Sequence, residues 1–313
     1  MRVYCGEELT RYGFGAGHPF GPDRLHAFWS ETVRQGLDKR VTTGVPRSCS
    51  EDELRRFHTA EYVAYVKARS NEGTGFLDAG DTPAFPGVFE AAGVVVGSAL
   101  DGVAAIMRGG ERRVFLPIGG LHHARRDGAA GFCVFNDIGV VIETLRRKFD
   151  VRRIGYVDID AHHGDGVFYA YEDDPDLIIA DIHEDGRYLY PGTGAASETG
   201  RGAARGTKLN LPMAPGADDA AFRRVWPHIE ELLRRHRPEI ILLQAGADAV
   251  RGDPLTHLAF TPAVHRHAAG RLCVLANEFC DGRLMAFGGG GYHRTNLAVA
   301  WNEVVKAMVE SEG

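Results

Sequence analysis

Short runs of apolar residues alternate along this chain with longer segments of helical periodicity, and this alternation restricts the fold more than any other feature. The apolar runs predict strands at 114–118, 153–160, 177–183, 240–246 and 283–291, the last of which passes into a glycine loop. The helical segments are 51–69, 86–107, 137–148, 219–236, 262–280 and 296–311. Apolar strands separated by amphipathic helices are typical of a mostly parallel sheet with helices on both faces. The predicted fold class is therefore α/β.

The chain of 313 residues is expected to form one domain, 1–313. Length alone favours about two domains at roughly 150 residues each, but no segment rich in proline, serine or charge divides the sequence. Hydrophobic residues at 44% and charged residues at 25% are ordinary for a globular protein and exclude a disordered chain.

Charge and cysteine content indicate where such a protein works. With 36 basic and 42 acidic residues the net charge is −6, which disfavours a nucleic-acid partner. Five scattered cysteines without a C-x-x-C motif are typical of a reducing compartment. The N-terminus lacks the apolar stretch of a signal peptide, and the apolar runs at 91–100 and 240–247 are too short to span a bilayer. We expect a cytoplasmic protein with no membrane partner, and no feature indicates its oligomeric state.

Polar and ionisable residues follow the predicted strands. They lie after residue 118 and at 158–165, 181–183, 246–248 and 288–292. Ligands of parallel α/β proteins bind at the carboxyl ends of the strands. We therefore expect a single active site at one edge of the sheet.

The segment D-I-D-A-H-H-G-D (158–165) carries the strongest chemical signal. Side chains alternate between the two faces of an extended strand, so Asp158, Asp160 and His162 should point the same way. Mixed carboxylate and imidazole ligands suit zinc and its neighbouring transition metals. Burying these groups without a cation would carry a large desolvation cost. The segment predicts a divalent metal site, to which Asp248 can add a third ligand.

Two other segments contribute groups for catalysis. Tandem histidines at 122–123, on a glycine turn, fit proton transfer if each imidazole is oriented by a carboxylate, and Asp158 and Asp165 are the candidates. Four glycines at 288–291 permit close backbone approach and present the hydroxyl of Tyr292. Taken singly, a histidine pair can be incidental and a glycine run can be a flexible turn. Their joint occurrence after strands favours one site.

Six segments together resemble the histone deacetylase family in order and spacing. They are G-G-L-H-H-A (119–124), G-F-C-V-F-N-D (131–137), V-D-I-D-A-H-H-G-D-G (157–166), Y-P-G-T-G (190–194), G-A-D-A-V-R-G-D-P (246–254) and G-G-G-G-Y (288–292). That family includes eukaryotic lysine deacetylases, bacterial acetoin-utilisation proteins and acetylpolyamine amidohydrolases. The resemblance extends from His18 to about residue 300 and implies a single-domain, three-layer arginase–deacetylase fold.

The resemblance implies a hydrolase that removes acyl groups, acetyl above all, from the side-chain amine of acyl-lysine in proteins or peptides. One catalytic ion, Zn2+ or in the cell Fe2+, would be held by Asp160, His162 and Asp248. Three protein ligands leave a position open for water and the substrate carbonyl, as catalytic zinc sites require.

The same resemblance assigns the proton-transfer groups. His123, facing Asp165, would serve as general base and then as general acid. His122, facing Asp158, would act mainly through its charge. Tyr292 would donate a hydrogen bond to the oxyanion that develops on the substrate.

The implied substrate-binding residues are Asp81, Gly131, Phe132, Tyr190, Leu255 and Gly290. Phe132 and Tyr190 would form the walls of a narrow tunnel for the acyl-lysine stem, and the carbonyl of Gly131 would lie near the substrate amide. Asp81 stands where family members carry a rim aspartate that binds the substrate backbone.

Two structural sites for K+ or Na+ are also implied. The first would use Asp158, Asp160, His162, Asp181 and Ile182, and the second Tyr171, Asp174, Leu177 and Thr207. Four residues depart from the family pattern: Asp181 replaces a common serine, Thr207 a common aromatic residue, and Leu189 and Tyr190 two common phenylalanines. The departures leave open the occupancy of the cation sites and the acyl preference.

Three alternative functions also remain open. An acetylpolyamine amidohydrolase would act on a small acylated amine, but relatives of that type often carry glutamate where this chain has Leu255, and leucine leaves a second ammonium unpaired. An arginase-type enzyme needs two manganese ions, yet Asp248 is followed by Ala249 and Val250 rather than by another carboxylate. A non-catalytic regulatory relative is disfavoured because every matched metal and proton-transfer position is present.

Overall fold

The computed structural model describes residues 1–15 and 17–311, and its strands form one eight-stranded sheet. The strands are β1 (Arg2–Tyr4), β2 (Thr42–Gly44), β3 (Arg113–Leu116), β4 (Ile154–Asp158), β5 (Leu177–Glu184), β6 (Lys208–Met213), β7 (Ile240–Gln244) and β8 (Leu284–Phe287). The α-helices are α1 (Glu7–Thr10), α2 (Arg24–Arg34), α3 (Glu51–Leu54), α4 (Ala60–Glu72), α5 (Val88–Met107), α6 (Asp137–Phe149), α7 (Asp165–Ala170), α8 (Asp219–His236), α9 (Pro262–Phe279) and α10 (Arg294–Glu310). Two 3-10 helices cover Leu37–Arg40 and Gly202–Ala204.

The strand order is β2-β1-β3-β8-β7-β4-β5-β6, and every strand pairing within the described residues is parallel. The residues of β3, β4, β5, β7 and β8 are all buried. Parallel strands that are buried on both faces carry continuous apolar runs, which is why these five strands were evident in the sequence. The observed sheet confirms the predicted α/β fold class.

Two groups of helices pack against the sheet. In one group α5 contacts α6, β3 and β8. In the other, α9 contacts β7, β8, α8 and α10, while α10 contacts α2. Helix α5 is long and apolar enough, by length and composition, to cross a membrane, but most of it is buried inside the protein.

Some helices and strands differ from those that the sequence pattern predicts. The predicted helix 51–69 is two helices, α3 and α4, because Thr59 caps a new helix: its hydroxyl accepts a hydrogen bond from the backbone N–H of Tyr62 at 3.2 Å. Strands β1 and β2 have three residues each, too few for a period-two pattern. The apolar pattern of strand β6 is broken by Asn210 and Pro212.

We expect two glycines of α5 to respond oppositely to alanine. A Cβ at Gly97 would lie 2.1 Å from the backbone oxygen of Arg47, whereas a Cβ at Gly93 meets nothing closer than the sulfur of Cys49 at 3.7 Å. Gly97→Ala should lower the free energy of unfolding by about 1–3 kcal/mol because the backbone must move. Gly93→Ala, the matched control, should be neutral or raise it by about 0.5–1 kcal/mol through helix propensity. Urea unfolding measures both, and equal effects would contradict this packing.

Candidate active site

The loops that follow strands β3, β4, β7 and β8 meet at one edge of the sheet. These four strands are neighbours in the strand order, so their carboxyl ends lie side by side. The loops carry the histidine pair, the aspartate–histidine segment, Asp248 and the glycine run. The structure thus brings together the residues that the sequence separates by up to 170 positions.

Asp160, His162 and Asp248 form a buried cluster that could hold a metal ion. One ligand atom from each residue lies within 4.8 Å of the others. Nδ1 of His162 is 3.1 Å from Oδ1 of Asp160 and 3.0 Å from Oδ2 of Asp248. Burial disfavours a charged imidazole, yet these two carboxylates outweigh it and raise the pKa of His162 to about 10. The cluster therefore attracts positive charge, which a divalent cation supplies more fully than a proton.

Backbone and amide donors hold the aspartates of this cluster in place. Oδ2 of Asp160 accepts hydrogen bonds from Gly290 N and Gln244 Nε2, each at 2.8 Å, and Oδ1 of Asp248 accepts one from Ala161 N at 2.9 Å. A Cβ at Gly290 would lie 2.1 Å from an oxygen of Asp248, so only glycine lets the backbone come this close. One oxygen of each carboxylate stays directed toward His162.

The tandem histidines each face a carboxylate. Nδ1 of His122 lies 2.7 Å from Oδ2 of Asp158, and Nδ1 of His123 lies 2.6 Å from Oδ1 of Asp165. Their Nε2 atoms are 3.1 Å apart. Tyr156 donates a hydrogen bond to the same oxygen of Asp158. Sequence reasoning missed Tyr156, although its position two residues before Asp158 places both side chains on one face of β4.

Their surroundings drive the two imidazoles toward opposite protonation states. Burial opposes a charge on His122, but the negative charges of Asp158 and Asp160 and the hydrogen bond to Asp158 dominate and raise its pKa to about 10. Burial and the positive charge of His122 together lower the pKa of His123 to about 4, despite the facing Asp165. At neutral pH one histidine is cationic, while its neighbour is neutral and able to accept a proton.

Tyr292 follows the glycine run and is anchored by Asp253. Oδ2 of Asp253 accepts hydrogen bonds from the backbone N–H groups of Tyr292 at 2.8 Å and His293 at 3.3 Å, and Oδ1 accepts one from Leu255 N at 3.0 Å. Burial and the carboxylates of the metal cluster raise the pKa of Tyr292 well above its ordinary value, so its hydroxyl remains a donor. From sequence alone, Asp253 is only a turn residue.

A cavity of about 230 Å³ opens from this cluster to the surface. Five of the six predicted substrate-binding residues line it: Asp81, Gly131, Phe132, Tyr190 and Leu255. The imidazoles of His123 and His162 and the phenol of Tyr292 are also part of the lining. Leu189 also lines it. Gly290, the sixth, lies deeper, with its N–H on Asp160.

The side chains of Tyr12 and Thr82, which sequence reasoning did not single out, hold the backbone of Phe132 in place at the cavity wall. Phe132 has a φ of 68°, a left-handed conformation that is uncommon for an aromatic residue. Its carbonyl accepts a hydrogen bond from the hydroxyl of Tyr12 at 2.7 Å, and its N–H donates to Oγ1 of Thr82 at 3.1 Å. Such strain is stable only where neighbouring groups impose it.

Arg24 is fully buried and donates hydrogen bonds to the backbone of the glycine run. Its guanidinium donates to the carbonyl of Gly291 at 3.0 Å and to that of Gly289 at 2.5 Å, and it lies 4.0 Å above the ring of Phe20. Burial lowers its pKa to about 10, so it stays charged at neutral pH. No local pattern distinguishes Arg24 from the chain's exposed arginines.

At the first predicted cation site, the carboxylate of Asp181 already has two partners. Oδ1 lies 2.7 Å from Nδ1 of His183, and Oδ2 accepts a hydrogen bond from Gly164 N at 2.9 Å. Asp181 also lies beside Asp158 across the β4–β5 pairing, so two buried carboxylates adjoin. A cation at this site, with Asp160, His162 and Ile182, stays a prediction.

At the second predicted cation site, the structure places a side chain that the prediction did not include. The ammonium of Lys208 donates to the carbonyls of Asp174 and Leu177 and to the hydroxyl of Thr207. Tyr171, the fourth predicted ligand, directs its own hydroxyl toward Gly139 and Glu143 instead.

We expect Gln244→Leu to weaken metal binding without unfolding the protein. The variant removes the amide donor that orients Asp160, and loss of such a partner typically lowers metal affinity by about 10–100-fold. Titration of the metal-free protein with Zn2+ in a calorimeter measures the change. Gln35→Leu, at the chain's other glutamine, is the control and should bind as the wild type does. Equal affinity for all three proteins would contradict this role of Gln244.

Comparison with known proteins agrees with this geometry. A model of the histone deacetylase domain matches residues 18–308. The acetoin utilization protein AcuC of Bacillus subtilis is 38% identical over 291 residues, which cover 90% of this chain and 74% of that protein. Histone deacetylase RPD3 of Saccharomyces cerevisiae is 33% identical over 311 residues, covering 96% and 70%. The crystal structure of the HDA15 HD domain matches with a TM-score of 0.89 and 27% identity over 98% of this chain and 90% of that one. The chain belongs to the histone deacetylase family.

Proposed function

We propose that this protein is a zinc-dependent deacylase that removes acyl groups, acetyl above all, from the side-chain amine of lysine in proteins or peptides. Membership of the family supports a deacetylase. The observation that carries the finer proposal is one cavity lined by His162 of the Asp160–His162–Asp248 cluster, by a neutral His123 and by the phenol of Tyr292.

The residues of the cluster fit a catalytic zinc ion. Asp160, His162 and Asp248 would hold it through one nitrogen and two oxygens, and three protein ligands leave a position open. When bound, zinc supplies a Lewis acid that polarises the substrate carbonyl and lowers the pKa of a water molecule. An arginase-like second ion is disfavoured because the oxygens of Asp158 already accept hydrogen bonds from Tyr156 and the backbone of Asp160, with His122 alongside.

The chain's own groups move the protons. His123 is neutral, and Asp165 holds its Nδ1. Its Nε2, which lies 3.1 Å from Nε2 of His122, is the unprotonated nitrogen that can take a proton from the attacking water and return it to the departing lysine amine. The positive charge of His122 stabilises the negative charge that develops on the substrate. The Tyr292 hydroxyl donates a hydrogen bond to the same oxyanion.

The cavity lining favours acyl-lysine over an acylated polyamine. Leu255 gives the cavity an apolar surface at the position where the second ammonium of a polyamine would need a carboxylate partner. The exposed carboxylate of Asp81 can accept hydrogen bonds from the peptide N–H groups next to the modified lysine. Asp81 also keeps a second candidate open, an acetylpolyamine amidohydrolase, since the same carboxylate could pair with a free amine of a small substrate.

A substrate panel tests the proposed function. We expect acetyl-lysine peptides to be hydrolysed faster than acetylspermidine. The rates for propionyl- and longer acyl-lysine peptides give the order of acyl preference. A chelator should abolish turnover and added Zn2+ should restore it. Leu255→Glu should shift the preference toward acetylspermidine by roughly 10-fold or more, because the new carboxylate pairs with the amine. Faster hydrolysis of acetylspermidine by the wild type would overturn the acyl-lysine assignment, and full activity in the chelator would overturn metal dependence.

Tyr292→Phe tests the oxyanion role. Removing an oxyanion donor typically lowers kcat by about 10²–10³-fold, and the variant should retain the metal content of the wild type. Asp253→Ala should also lower kcat, because Asp253 holds the backbone of Tyr292.

A double variant separates positioning from other effects of Asp253. If Asp253 acts through Tyr292, adding Asp253→Ala to Tyr292→Phe should lower kcat little further, since coupled residues are not additive. Independent, multiplied losses would show that Asp253 acts elsewhere. A Tyr292→Phe variant as active as the wild type would refute the role of Tyr292.

A further inference from the structure

Lys208 is the first residue of the edge strand β6, yet its side chain is almost fully buried, with 2% of its surface exposed. It pairs with Ile179 of β5 in the sheet register. Buried lysines are rare unless the ammonium finds partners. The surroundings of this amine therefore need a physical account.

All three N–H groups of the ammonium find oxygen acceptors. Nζ donates to the carbonyl of Asp174 at 2.8 Å, to the hydroxyl of Thr207 at 3.1 Å and to the carbonyl of Leu177. The carbonyl of Asp174 belongs to the turn that joins α7 to β5, and that of Leu177 to the first residue of β5. A ring of neutral oxygens around one positive charge is also how proteins bind alkali cations, with oxygen as the only ligand type.

No carboxylate makes a direct contact with this ammonium among the described residues. The side chain of Asp174 is directed elsewhere, with Oδ2 at 2.6 Å from Arg146 and Oδ1 accepting a hydrogen bond from Asp176 N. The bonds to Lys208 come from dipoles of the backbone and a hydroxyl, so its role differs from that of an ordinary ion pair.

We propose that the ammonium of Lys208 is a built-in replacement for a monovalent cation at the α7–β5 turn. The residues that the family resemblance assigns to a second K+ or Na+ ion do not fit one here, since oxygens of three of them, Asp174, Leu177 and Thr207, already surround Nζ. The chain therefore needs no inorganic ion to order residues 171–177.

The charge state of Lys208 agrees with this role. Burial lowers its pKa to about 8, and the nearby carboxylate of Asp174 partly opposes that shift. The amine is thus still mostly protonated at neutral pH. The turn that it holds continues from α7, whose first residue is Asp165, the partner of His123. A covalently tethered cation cannot dissociate, so it keeps this segment ordered at any salt composition.

Lys208→Met tests the proposal because it keeps most of the stem and removes the charge. We expect its melting temperature to rise by roughly 2 °C or more when KCl or NaCl replaces choline chloride at constant ionic strength, since an ion then fills the vacated ring. Equilibrium dialysis with thallium(I), a potassium analogue, should find one more bound ion per chain than in the wild type. Lys148→Met, at an exposed position of α6, is the control and should match the wild type in both measurements.

Any ion bound at the first cation site is present in both proteins, so it does not contribute to the difference between Lys208→Met and the wild type. If Lys208→Met and the wild type show the same salt response and the same thallium count, the ammonium does not substitute for a cation, and the proposal fails.

A measurement on the wild type covers the case in which Lys208→Met does not fold. The chain has five lysines, so the ammonium NMR spectrum of protein labelled with 15N-lysine is simple. The signal of Lys208 should be protected from exchange with water and unchanged when KCl replaces choline chloride. Loss or displacement of that signal by K+ would show that the ion competes for the same oxygens and would overturn the proposal.

Discussion

The burial of several aspartates at one edge of the sheet is the constraint on which the rest of the site depends. Asp158, Asp160, Asp181 and Asp248 each expose at most 1% of their surface, and unpaired buried carboxylates would be prohibitively costly. The fold offsets this cost with backbone N–H groups, the amide of Gln244 and imidazoles. Glycines are required where the backbone must approach these oxygens, and parallel neighbouring strands are required to bring the loops together.

The same carboxylates give adjacent histidines different tasks. His122 and His123 are consecutive and equally buried, yet one pKa is raised to about 10 and the other lowered to about 4. The first imidazole lies among several carboxylates, whereas the second faces one carboxylate and a positively charged neighbour. Environments that drive two like groups apart in pKa are typical of acid–base catalysis. Removing Asp158 or Asp160 would therefore change the pKa of His122 as well as stability.

Much of this architecture could be predicted from the sequence. The five buried strands and the long helices carry apolar periodicity, and the segment at 158–165 has few explanations besides a metal site. The structure brings the predicted metal ligands into one buried cluster. It also lines one cavity with His123, His162, Tyr292 and five of the predicted substrate-binding residues. The sequence did not predict helix α2, the three-residue strands β1 and β2, or strand β6, whose apolar pattern is broken by polar residues and a proline. It also missed the cap at Thr59 that divides one predicted helix into α3 and α4. Three residues are too few to establish a period.

By itself the sequence determined which side chains are candidates for the chemistry and which strands they follow, because residue type and local spacing are properties of neighbouring positions. Only the tertiary structure decided what holds those side chains. Arg24 reaches the carbonyl of Gly291 across 267 positions, and Gly290 reaches Asp160 across 130. Lys208 donates to the carbonyls of Asp174 and Leu177, which lie more than 30 residues earlier in the chain. Hydrogen bonds between segments so far apart leave no local pattern, so their partners emerge only when the chain is folded.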